Sequence, residues 1–172
     1  MQRRLLILLL AALGCLSASA GHVFLIIGEN RVELTAQQTQ TEVRAGWRIV
    51  DIQLKGRTTR YLAGGHSNQL TDGRRPTFVV EPSEDETLVD YALIRLDAKR
   101  SYRRLPRAVL RENVYQRLEP EGFEITPEAE RAFVCTPREA LQPGEYILVC
   151  LTQQPQGDLG DYAVYAFRVE SF

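Results

Sequence analysis

Beyond residue 20 the apolar residues of this chain fall in short runs with a period of two, cut by glycine and proline. That spacing is the mark of half-buried strands. Val23 to Ile27 is one such run and ends at Gly28-Glu29-Asn30, and Val32 and Leu34 alternate with polar neighbours between Arg31 and Thr41. Trp47, Ile49, Ile52 and Leu54 continue the pattern across a register ambiguity at Val50. Pro76 to Val80 is a compact apolar strand closed by Pro82, and Leu88 to Leu96, with Leu88, Tyr91, Leu93, Ile94 and Leu96, predicts a central strand. In Asp161 to Val169 both faces are apolar, Tyr162, Val164 and Ala166 alternating with Ala163, Tyr165 and Phe167. A strand of that kind belongs in the middle of a fold or meets a partner on its outer face. Helix competes in two places. One is Thr35 to Val43, where Ala and Gln are common; the other is Thr126 to Arg131, where Thr126 would cap a single turn with Pro127 at its first position. Around that turn, Glu112 to Ala132 reads as loop.

The stretch from Arg131 to Phe172 predicts a closing hairpin. Pro143 and Gly144 suit the two central positions of a type II turn. Pairing Ala132–Thr136 with Glu145–Thr152 across a loop of about eight residues sets Cys135 opposite Cys150 or within one residue of it. A Cys135–Cys150 disulfide is therefore expected in an oxidising compartment. The alternative is two small buried hydrophobes, because directly opposed strand cysteines are strained when bridged.

The first twenty residues differ in kind. Arg3 and Arg4 form a positive n-region, Leu5 to Leu16 an apolar core, and Ala18-Ser19-Ala20 a small-residue cleavage site. This anatomy predicts a signal peptide over residues 1–20, cut between Ala20 and Gly21, and a mature protein of the periplasm or cell surface. The apolar run is too short to span a bilayer stably, and no other stretch approaches the required length, so the mature chain is expected to have no transmembrane segment. Ala12-Leu13-Gly14-Cys15 offers a competing reading as a degenerate lipobox, with lipid on Cys15. Residues 21–172 are of single-domain length. The whole chain has 21 Lys+Arg and 22 Asp+Glu; without Arg3 and Arg4 the mature part has 19 basic against 22 acidic residues, a net charge of −3. That balance argues against a nucleic-acid partner, which asks for a clearly basic face.

Candidate chemistry is sparse. Lys99, Arg100, Arg103, Arg104, Arg107 and Arg111 crowd one segment. They form either a face for an anionic partner such as a sugar polymer, phospholipid headgroup or lipopolysaccharide, or a twisted, exposed hairpin whose arginines are solvated or pair with Ser83-Glu84-Asp85-Glu86 and the acidic stretch Glu119–Glu130. His66, Ser67 and Asp72 hold the elements of a triad, yet all lie in one turn-rich loop, whereas triads converge from distant elements. Gly21 followed by His22 would form a terminal copper chelate, although an incidental histidine explains it more simply. Metal-ligand spacing, a phosphate-cradling loop and suitably separated paired carboxylates are missing, so no cofactor is expected.

Taken in order, the exported N-terminus, GGHS leading to PTF, LVDYALIRLDAKRSYR, CTPREALQPGEYILV and YAVYAFRVE resemble a group of small exported bacterial β-sandwich proteins of unknown function. These carry a Leu-x-Pro-Gly-Glu-Tyr hairpin before a final Tyr-x-Phe strand. The resemblance covers residues 60 to 170 and implies an immunoglobulin-like sandwich and an envelope location, with no catalytic residue to carry over. The expectation is an all-β, immunoglobulin-like antiparallel sandwich over residues 21–172, acting as a non-catalytic binding or accessory module on a protein or other envelope component. The alternatives are a hydrolase with its site near His66 and a lipid-anchored accessory protein.

Overall fold

A computed structural model describes residues 21–44, 48–49, 52–53, 57–105, 115–152 and 163–170. The expectations at Cys15, Ala20, Trp47, Val50, Leu54, Arg107 and Arg111 lie outside the described residues. The chain enters as β1 (His22–Ile27), turns at Gly28, whose φ of 59° glycine adopts without cost, and returns as β2 (Asn30–Glu33). Next come β3 (Ala36–Gln38) and β4 (Gln40–Arg44), then the short pair β5 (Arg48–Ile49) and β6 (Ile52–Gln53), then β7 (Arg57–Ala63) and β8 (Thr77–Glu81). A 3-10 turn at Leu88–Asp90 leads into β9 (Tyr91–Arg95), followed by β10 (Asp97–Ala98), β11 (Tyr102–Arg104), β12 (Gln116–Arg117), β13 (Phe123–Ala129), β14 (Ala132–Pro137), β15 (Gly144–Cys150) and β16 (Ala163–Val169). Both places where helix competed are strand.

The strands make three main antiparallel sheets: an outer one ordered β13-β14-β8-β1-β2, a central one ordered β12-β9-β15-β16-β3, and a third ordered β10-β11-β7-β4. The outer and central sheets face each other across the larger core. Val23, Leu25, Phe78, Val80 and Cys135 meet Tyr91, Leu93, Tyr146, Leu148, Cys150, Tyr165 and Phe167 there. Only Thr39 separates β3 from β4, and only Leu96 separates β9 from β10, so the central and third sheets are joined at two places. The pairings β16·β3, β4·β7, β7·β11, β11·β10, β9·β15 and β15·β16 then run in a closed circuit. Inside it lies a second core of Leu62, Ala92, Ile94, Leu96, Leu105, Ile147, Val149, Val164 and Ala166. Each face of β16 therefore has its own core, Tyr165 and Phe167 on one side and Val164 and Ala166 on the other. This accounts for the two apolar faces read from the sequence. Large apolar side chains exposed among the described residues are limited to Leu70 and Val89, far short of a docking patch beside β16.

The closing hairpin needs correction. β14 pairs with β13 and β8 in the outer sheet, whereas β15 pairs with β16 and β9 in the central one. Leu141-Gln142-Pro143-Gly144 thus carries the chain from one layer to the other, and the Leu-x-Pro-Gly-Glu-Tyr stretch is a crossing, not a hairpin. The two arms never pair, so the bridge expected from their register is not made. Cys135 and Cys150 are buried and not bridged to each other. Cys150 Sγ lies 3.2 Å from the Thr152 hydroxyl, and Cys135 Sγ lies 3.7 Å from the Phe133 carbonyl.

Burial pushes the Cys135 thiol from 9.0 up to about 12 and the Tyr165 phenol from 10.0 up to about 12. Unfolding lets both ionise earlier, so the stability they hold in the neutral form is intact below pH 9 and drains away as pH rises toward 12. Each ionising group contributes a slope of about 1.4 kcal/mol per pH unit. The denaturation midpoint at pH 11 is expected to fall well below that at pH 8, and a flat profile over that range would contradict the burial of these groups.

Candidate functional site

The smaller core ends in a polar cluster. On β11, Arg103 pairs with Leu62 of β7 and so shares its inward face; on β15, Glu145 keeps phase with Ile147 and Val149. Both charged side chains consequently point into the circuit, and each residue is 2% exposed. Arg103 Nη1 stands 3.6 Å from Glu145 Oε2, an ion pair beyond hydrogen-bonding distance. The other guanidinium nitrogens are engaged: Nε donates to the Gly64 carbonyl (3.2 Å), and Nη2 donates to the Ala63 carbonyl (3.1 Å) and to Gln37 Oε1 (3.4 Å). Burial pulls the pKa of this guanidinium below its ordinary value, and the Glu145 charge opposes that pull. Glu145 Oε1 meets His66 Nδ1 at 3.1 Å, and its Oε2 accepts the Ser67 backbone N–H at 2.9 Å.

Two glycines bring His66 and Ser67 there. Gly64 has φ of 81° and donates its N–H to the Ser101 carbonyl. A side chain at Gly65 would place its Cβ 2.6 Å from the Arg100 carbonyl oxygen and 3.0 Å from that of Lys99, so only glycine lets this loop press against the β10–β11 turn. Beneath the loop lies a cavity of about 440 Å³ lined by Thr35, Gln37, His66, Asn68, Gln69 and Arg103 among others. Arg103 Nη1 is buried in this wall with no hydrogen-bond partner.

A donor of that kind is costly, because a buried polar group normally finds a partner. Comparison of the chain with known protein families, curated proteins and solved structures finds no match.

The structure scatters most of the residues singled out in the sequence. Lys99 and Arg104 both pair with Asp97, whose carboxyl is held below its usual range first by Lys99 and then by Arg104. Arg100 is exposed, and Arg103 lies inside. β10 and β11 pair as a hairpin, in which Lys99 and Arg104 pair with Asp97, not with Ser83–Glu86 or Glu119–Glu130, and Arg103 is turned away from Arg100 into the interior. The elements of the triad also separate. The Ser67 hydroxyl donates to the Ala166 carbonyl and accepts from the Gln69 N–H, while Asp72 accepts the Gly28 N–H. His22 is held by Glu33 at 2.8 Å. Among the described residues no group of three potential ligands is gathered to hold a metal. A second depression of about 470 Å³ lies along Tyr115 to Gly122, where Arg117 donates to the Val89 carbonyl.

Glu145 and Gln37 are site residues that sequence reasoning passed over. The signal for Glu145 was its phase: it falls in step with Ile147 and Val149 on a strand apolar on both faces, where a carboxylate must be buried and must therefore have a partner. Gln37 carried no comparable signal.

Proposed function

We propose that the protein is an exported, non-catalytic binding module of the cell envelope whose ligand site is the polar end of the closed circuit. The observation that carries the site is Arg103, a guanidinium in the wall of the cavity whose Nη1 makes no hydrogen bond and has the Glu145 carboxylate 3.6 Å away as its ion-pair partner. A planar guanidinium already fixed on its other nitrogens is well placed to receive one more acceptor, and a carboxylate is the strongest. Gln37, Asn68, Gln69 and His66 add further hydrogen-bonding groups to the cavity lining. The backbone of Lys99 and Arg100 packs against Gly65; the Lys99 ammonium is paired with Asp97, and Arg100 is exposed. A small acid bearing several hydroxyls, of the sugar-acid class, satisfies this set, and the cavity volume is in the range of small-molecule sites.

Calorimetric titration with glucuronate tests the reading. Saturable binding is expected, weakened about tenfold or more by Arg103→Lys, which keeps the charge opposite Glu145 but loses the planar fork. No binding to the parent protein, or equal affinity in the variant, would overturn it.

The signal-peptide anatomy supports the export part of the proposal, and among the described residues no helix is long and apolar enough to cross a membrane. The immunoglobulin-like assignment draws support from the face-to-face packing of two antiparallel sheets; the third sheet stands against it. A hydrolase near His66 would need a nucleophile, and the hydroxyl of the adjacent Ser67 is committed to the Ala166 carbonyl.

A further inference from the structure

At the far end of β15 from Glu145, a second polar cluster surrounds Gly21, the residue that would become the first of the mature chain. Gly21 is buried, and its carbonyl accepts from the Tyr165 hydroxyl. A methyl group on its α-carbon would lie 2.2 Å from the Tyr91 hydroxyl, 2.6 Å from the Glu81 carbonyl oxygen and 2.9 Å from Glu86 Oε2. The fit leaves no room for any side chain. Glu86, in the acidic loop Ser83-Glu84-Asp85-Glu86, is 6% exposed. Its Oε2 accepts the Tyr91 hydroxyl at 2.7 Å and the Ser83 backbone N–H at 3.0 Å. Burial works to raise the Glu86 pKa, but the Tyr91 and Ser83 hydrogen bonds leave it below the ordinary value, so the carboxylate is ionised at neutral pH. Arg131 lies close by and donates to the carbonyl oxygens of Ser83 and Glu86.

A buried carboxylate beside the residue that export would turn into a free amino terminus has one chemical consequence. Hydrolysis of the Ala20–Gly21 bond converts the Gly21 amide into an ammonium group on the residue whose α-carbon substituent would lie 2.9 Å from Glu86 Oε2. We propose that the amino group of Gly21, released by signal-peptide cleavage, docks on the Glu86 carboxylate, so that processing completes the packing of β1 against the larger core. The fold would then reach full stability only after export, and the glycine at the first mature position would be required by the fit as well as tolerated by the peptidase. The inference rests on the export reading and is independent of any ligand at Arg103.

The test compares the mature protein beginning at Gly21 with one beginning at Ala18, each with and without Glu86→Gln. The mature protein is expected to melt about 5 °C above the extended one, and Glu86→Gln is expected to abolish that difference. Equal melting temperatures, or a difference that survives Glu86→Gln, would overturn the proposal. Should the Glu86 variant fail to fold, acetylation decides: the Gly21 amine is expected to react at least tenfold more slowly in the native mature protein than after denaturation, and equal rates would refute its docking. Sequencing the N-terminus of the protein recovered from the envelope separates this outcome from the export reading, because a chain still carrying residues 1–20 defeats export without touching the melting comparison.

Discussion

Glu145→Ala is expected to lower the unfolding free energy by about 3–5 kcal/mol. The carboxylate is the counter-charge of a guanidinium that is itself 2% exposed, and it also receives the Ser67 N–H and faces His66. Truncation leaves Arg103 charged in a low-dielectric setting with nothing opposite, which costs far more than the pair contributes over an apolar substitute. The double variant Arg103→Met, Glu145→Leu is therefore expected to regain most of the lost stability while losing glucuronate binding. Denaturant titration of the three proteins checks both halves. A loss under about 1 kcal/mol in Glu145→Ala would mean that the pair is solvated and the circuit open at this end.

Phe167→Ala is expected to cost a similar amount, about 3–5 kcal/mol. Phe167 is fully buried on β16, stacked on Tyr146 at 5.6 Å between ring centres and tilted against Phe78 of the outer sheet at 5.0 Å. Its ring joins the two sheets that enclose the larger core, and the rings around it cannot close over the space an alanine would leave. Phe167→Leu, which fills part of that volume, is expected to cost less than half as much. A loss near 1 kcal/mol for the alanine variant would show that the outer sheet is not packed on β16.

The strands themselves were legible because a period of two survives in short segments whatever sheet they join. Val23–Ile27, Pro76–Val80 and the apolar residues of Leu88–Leu96 could be placed without knowing their partners. Partners were another matter. Pro143 and Gly144 reverse the chain equally well whether the next strand pairs with the last or leaves for another layer, so turn chemistry alone could not separate a hairpin from a crossing. The disulfide expectation failed with that choice, since it depended on register between β14 and β15.

Much the same holds for the candidate site. A run of lysine and arginines reads as solvated surface; Lys99 and Arg100 are exposed, and Lys99 and Arg104 pair with Asp97. Arg103 differs because Tyr102 and Arg104 alternate with it, leaving it in phase with the interior. An isolated three-residue strand is too short for that phase to be seen without its neighbour β7. Thr126 to Arg131 went astray for a related reason: Pro127 is a good first residue for a helical turn, but it is equally acceptable on β13, an edge strand with one side unpaired.

The measurement that bears most directly on the proposed site is an amide and guanidinium NMR map of the mature protein during addition of glucuronate. The account predicts saturable shifts at the amides of Ser67, Asn68, Gln69 and Ala166 and at Arg103 Nε, with Tyr115 to Gly122 unmoved. Shifts absent from the Arg103 end, or gathered around Tyr115 to Gly122, would contradict it.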